Sequence, residues 1–140
     1  MDKEVLHKEI DLIQSCISRM ASNSFLIKGW TISLIGVVLA LIDKQSLASV
    51  ILLLILPVLS FWFLDAYFLR TERQYRELYK WVLDKRNLNS CEYLYDLNPD
   101  RFSDRVSNIF KTMFSLTLGL FYGFQIFCII LFTLFISKGS

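Results

Sequence analysis

Hydrophobic and polar positions along this chain fall into blocks rather than alternating residue by residue. Phe25 to Ile42, Leu47 to Leu69 and Thr112 to Ser137 are nearly continuous apolar runs. The first is interrupted by Lys28, the second carries Asp65 near its end, and the third holds no charge. About 20 helical residues cross about 30 Å of hydrocarbon, so each run is of spanning length, and the third is long enough to tilt. Strands are the alternative for so much Ile, Val and Phe. The period-2 alternation is missing, however, and an open sheet edge in lipid leaves backbone polar groups unpaired. The pattern therefore predicts an all-α integral membrane bundle with three transmembrane helices.

Ahead of the first run, Leu6, Ile10, Ile13, Ile17 and Met20 recur at spacings of three and four, which places them on one stripe of a helix. Its polar face mixes Lys3, Glu4, Lys8 and Asp11, so packing on protein is favoured over packing on lipid headgroups. After the second run, RTERQYRELYKWVLDKR (70–86) continues without Gly or Pro, predicting one helix from about Leu47 to about Arg86. NLNS (87–90) ends it, and Asn98-Pro99-Asp100 is a helix start. The third helix is expected to begin there. Pro57 should kink the second helix. Four residues, Asp43 to Ser46, separate the first two runs and predict a tight hairpin. The chain thus divides into an amphipathic cytoplasmic helix (1–24), a transmembrane hairpin (25–70), a helical cytoplasmic stub (71–111) and a third transmembrane helix (112–138).

Charge sets the orientation. Arg70, Arg73, Arg76, Lys80, Lys85, Arg86, Arg101, Arg105 and Lys111 lie between the second and third runs, and Lys3, Lys8, Arg19 and Lys28 lie before or at the start of the first. Only Lys44 and Lys138 are on the other side. The positive-inside rule then puts the N-terminus in the cytoplasm and the C-terminus outside. A net charge of +2 is too small to imply nucleic acid. The basic stub also carries Glu72, Glu77, Asp84, Glu92, Asp96, Asp100 and Asp104. No direct nucleic-acid contact is expected, although Tyr75 and Tyr79 interleave with Arg73 and Arg76. These four are read as a partner-facing cytoplasmic surface. Cys16, Cys91 and Cys128 are odd in number and far apart, so reduced thiols are expected. The first 24 residues have no continuous apolar core, and no cleavable signal is expected. With one histidine, His7, no catalytic set, metal site or phosphate loop assembles, and neither an enzyme nor a cofactor is expected.

The remaining chemistry is intramembrane. Lys28 and Asp65 lie about 25 and 31 Å from the hairpin turn along ideal helices, so an ion pair is expected between them. Small residues mark close packing, within a chain or between copies: Gly29, Ser33, Gly36 and Ala40 on one face of the first run, and Ser115, Gly119 and Gly123 on one face of the third. Gln125, in mid-span, needs a hydrogen-bond partner, and a neighbouring helix of the same chain is the expected one.

RMASNSFLIKGWTISLIGVVLAL (19–41), FWFLDAYFLRTERQYRELY (61–79) and FYG (121–123) resemble small bacterial multi-span proteins encoded beside anti-phage defence genes, in retron-like or nucleotide-signalling systems. The resemblance implies a bacterial inner-membrane location. It also implies a membrane-acting effector that oligomerises and permeabilises the bilayer, with a soluble defence protein as sensor. The alternative is a non-catalytic anchor or scaffold that recruits a soluble partner.

Overall fold

A computed structural model describes residues 3–41 and 47–138. The described residues form helices α1 (Lys3–Leu41) and α2 (Leu47–Asn87), a 3-10 helix (Pro99–Arg105), a short α3 (Ile109–Met113) and α4 (Leu116–Lys138), with no strand among them. α1, α2 and α4 are each long and apolar enough to cross a membrane. The expected Asp43 to Ser46 turn lies outside the described residues.

α1 is one helix of 39 residues, so the expected boundary between residues 24 and 25 is not a helix end. The reason lies in its buried line. Glu9, Ile13, Cys16, Ser24, Ile27, Thr31 and Ile35 recur at near-heptad spacing, which keeps one seam against α2 along the whole length. The core line is rotated from the expected stripe, and Leu6, Ile10, Ile17 and Met20 flank it at intermediate exposure. α2 has the expected extent, running through Pro57 and ending at Asn87 with Lys85 and Arg86 in its last turn.

The two long helices are antiparallel, and their seam holds two cores. In the apolar half, Ile35, Leu54, Val58, Trp62 and Ala66 pack with Leu118, Tyr122 and Ile129 of α4. In the charged half, Ile13, Leu78, Val82 and Phe102 form a second cluster, flanked by Tyr75, Tyr79 and Trp81.

The third helix departs from expectation. Asn98 does cap, accepting from the Asp100 N–H at 3.0 Å. The element it starts is a 3-10 helix that ends at Val106 in extended backbone. Asn108 then caps α3, and the helix breaks again at Phe114 (φ −89°, ψ 17°) before α4. Unlike α1 and α2, the third apolar helix is therefore discontinuous with the charged half.

Candidate functional site

The expected Lys28–Asp65 pair forms, with Nζ 2.6 Å from Oδ2. Asp65 is fully buried, whereas Lys28 keeps 22% exposure. A carboxylate taken out of water needs all its lone pairs engaged as well as a counter-charge. Two further residues supply this. The Ser24 hydroxyl donates to Asp65 Oδ1 and accepts from Lys28 Nζ at 2.8 Å. The Tyr122 hydroxyl donates to Asp65 Oδ2 at 3.0 Å. Because Ser24 and Lys28 are one turn apart on α1 and Tyr122 belongs to α4, this centre ties all three apolar helices at one level. Trp62 buttresses it, stacking on Tyr122 with centroids 5.8 Å apart and donating its indole N–H to the Met113 carbonyl at 2.9 Å.

Most of the small residues are not packed against other described residues. Gly29, Ser33, Gly36 and Ala40 are all exposed on α1, and a Cβ built at Gly29, Gly36 or Gly123 would meet nothing within 4 Å. Gly119 alone approaches something, the Phe114 backbone at 3.8 Å. Ser115 has a buried hydroxyl without a partner. Gln125 overturns its expectation too. It is 9% exposed, yet among the described residues neither its Nε2 nor its Oε1 finds a hydrogen bond. It lines an apolar groove of about 900 Å³ between α1 and α4, walled by Ile32, Ile35, Gly36, Leu120, Phe121 and Phe124. The physical reason is separation. α4 packs mainly on α2 and joins the Asp65 centre, and the groove lies between it and α1 beside Gly36.

The charged half holds a second buried ion pair that the sequence reading did not single out. Arg86 and Glu9, each 1% exposed, meet in a two-pronged contact, Nε to Oε2 and Nη2 to Oε1, both at 2.8 Å. Arg86 Nη1 also donates to the carbonyls of Ser90 (2.6 Å) and Glu92 (3.1 Å), and the Tyr95 N–H donates to Glu9 at 3.1 Å. One arginine thus fastens the α1 start, the α2 end and the 88–98 loop. The carboxylate hydrogen bonds raise the Arg86 pKa, with burial opposing them. The loop needs fastening, because Asn89, Tyr93 and Tyr95 adopt positive φ of 54°, 51° and 59°. Of the four expected partner-facing residues, Arg76 is exposed and paired with Glu72, and Arg73 is half-buried. Tyr75 and Tyr79 lean on the second core instead of facing fully outward. Burial, with Cys16 alongside, raises the Tyr75 pKa.

Some signal for the missed partners exists. Ser24 lies one turn before Lys28, and Tyr122 carries a hydroxyl inside a charge-free run. Glu9 and Arg86 carry no comparable signal, since each reads as one more charge on a charged helix. All three cysteines are free, and among the described residues no cluster of His, Cys, Asp and Glu has the makings of a metal site.

The fold and these two polar centres define an all-helical protein with three helices of membrane-spanning length and composition, tied by buried ion pairs. Comparison with known proteins finds no matching family model, no matching curated protein and no matching solved structure.

Proposed function

We propose that this chain is a membrane-acting effector of a bacterial anti-phage defence system, assembling in the inner membrane and permeabilising it. The observation that carries the reading is Gln125, a buried carboxamide with donor and acceptor both unmet, in an apolar groove. In hydrocarbon neither atom finds water, so the amide is a standing drive towards another polypeptide. A carboxamide is complementary to itself, so a second copy can meet both atoms at once. Exposed Gly29, Ser33, Gly36 and Ala40 allow a neighbouring helix to approach closely beside that groove. The space among the three helices of one copy is filled by the Leu54, Val58, Trp62 and Tyr122 core, so a conduit has to form between copies. The positive-inside count supports a cytoplasmic charged half.

The test is regulated expression in bacteria with membrane potential and detergent-extracted native mass read together. Wild type should depolarise cells and migrate as an oligomer. Gln125→Leu and Gly36→Ile should reduce both, as should Gly119→Ile with Gly123→Ile. A monomeric, inserted and harmless wild type would sink the reading. The anchor alternative draws on the stiff stub closed by Glu9 and Arg86, a ready platform for a soluble protein. It requires a copurifying partner, released by charge reversal at Arg73 and Arg76, and no leakage.

A further inference from the structure

A cavity of about 960 Å³ opens where the apolar half gives way to the charged half, between α1 and α2 and closed by residues 105–107. Arg73, Arg76 and Lys80 reach it from α2 and Arg105 from the end of the 3-10 helix, against one lining carboxylate, Glu77. That carboxylate is engaged by Lys80 at 2.6 Å, and Arg76 is engaged by Glu72 at 2.7 Å. Among the described residues Arg73 and Arg105 form no ion pair, although Glu77 lies one turn from Arg73 in the same wall. Ser18, Gln14 and Ser107 add hydrogen-bonding groups to the wall.

This convergence is built. Arg70 donates to the carbonyls of Ser107 (3.2 Å) and Ser103 (3.5 Å), fastening the segment that carries Arg105 onto α2. A topology signal requires basic residues on one side of a membrane, but it does not require arginines from two separate elements to share one cavity. Guanidinium forks match phosphate oxygens in pairs, and a concave site lined by one sign of charge concentrates anions.

We infer that this cavity binds a phosphate-bearing anion between Arg73 and Arg105, either the headgroup of an anionic lipid or a soluble phosphate. The depth suits both. Ala21 and Arg73 lie just beyond the apolar runs, at headgroup level if the helices span a bilayer, and Lys80, two turns further along α2, also lines the opening. Only the lipid source rests on the membrane reading. The inference stands apart from permeabilisation, because binding and leakage are measured separately.

The full chain in uncharged maltoside detergent is titrated with pyrophosphate, and separately with short-chain phosphatidylglycerol, following the thermal midpoint. Sodium chloride of matched ionic strength is the control. Either probe should raise the midpoint above that control. A shift with phosphatidylglycerol alone assigns a lipid, and one with pyrophosphate alone assigns a soluble ligand. Arg73→Ala with Arg105→Ala should weaken binding by about tenfold or more. Should that pair lose helical signal, Arg73→Lys and Arg105→Lys carry the test, each weakening binding by loss of the fork while keeping the charge. No shift beyond the salt control overturns the inference, as does unchanged affinity in the folded variants.

Discussion

Replacing Glu9 with Gln is expected to open the charged half of the molecule while leaving the apolar half closed. The substitution keeps the shape but removes the charge facing a guanidinium that is 1% exposed. Arg86 would retain the Ser90 and Glu92 carbonyls and a single amide oxygen at position 9, none of which neutralises it. Breaking a buried pair from one side typically costs about 3–5 kcal/mol. That exceeds what the small Ile13, Leu78, Val82 and Phe102 cluster readily absorbs, and the positive-φ tyrosines Tyr93 and Tyr95 favour release of the loop. Since every 1.4 kcal/mol is about tenfold, amide exchange in peptides covering 88–98 should accelerate by about a hundred- to several-thousand-fold. Exchange around Ser24 and Asp65 should not change. Glu9→Leu with Arg86→Met removes both charges, and hydrophobic replacement of a whole buried pair is often neutral. The double variant should therefore exchange more slowly than Glu9→Gln. Hydrogen–deuterium exchange read by mass spectrometry on detergent-solubilised protein decides the matter. If Glu9→Gln exchanges like wild type, or the double variant costs the sum of its singles, the pair is not the fastening described.

The Asp65 centre should respond asymmetrically. Lys28→Ala strands a fully buried carboxylate and should cost about 3–5 kcal/mol, whereas Asp65→Ala leaves a partly exposed lysine able to extend towards water and should cost less; unfolding in mixed micelles measures the order. Trp62→Phe keeps the stack on Tyr122 but removes the indole bond to Met113, so it should cost about 0.5–1.5 kcal/mol and raise exchange in residues 109–116 specifically.

What the sequence reveals here depends on whether a residue breaks its local pattern. Lys28 and Asp65 are conspicuous because they interrupt apolar runs, and comparable depth measured from the turn then pairs them. The 41-residue α2 is legible for a similar reason, since nothing between Leu47 and Arg86 stops it except Pro57, which a long helix accommodates. Glu9 and Arg86 break no pattern. Their partnership depends on 77 residues of intervening chain returning to the same place, and tertiary placement of that kind leaves no trace in periodicity. The glycine faces show the converse. Their spacing marks a surface for close approach, but which surface is filled and which is left bare depends on how α4 leans, and that is set by Tyr122 and Trp62. Asn98 was readable as a cap, whereas the 3-10 geometry after it was not, because a capping side chain specifies a start and not a length.

The mechanical consequence of this construction is an unequal division of stiffness. α1 carries an unbroken hydrogen-bond ladder, and α2 carries one that lacks the rung Pro57 cannot donate; they run about 58 and 62 Å at 1.5 Å per residue, from the charged half to the far end of the apolar half. They are fastened to each other by Glu9–Arg86 at one level and by Lys28–Asp65 at another. A two-helix frame pinned at two levels resists both sliding and splaying. α4 lacks that continuity, and among the described residues it contributes to no ion pair. Its ladder is interrupted at Phe114 and Ser115, where a serine hydroxyl is already buried unmet. Its attachment to the frame rests on the Tyr122 hydroxyl, the stacking of Trp62 on the Tyr122 ring, and the packing of Leu118 and Ile129. Tilting α4 about the Phe114 break costs few hydrogen bonds, whereas bending α1, or α2 away from Pro57, breaks rungs of a continuous ladder. Since Gln125 rides on α4 and Gly36 on α1, the width of the groove between them is the dimension of this fold least constrained by its own chain.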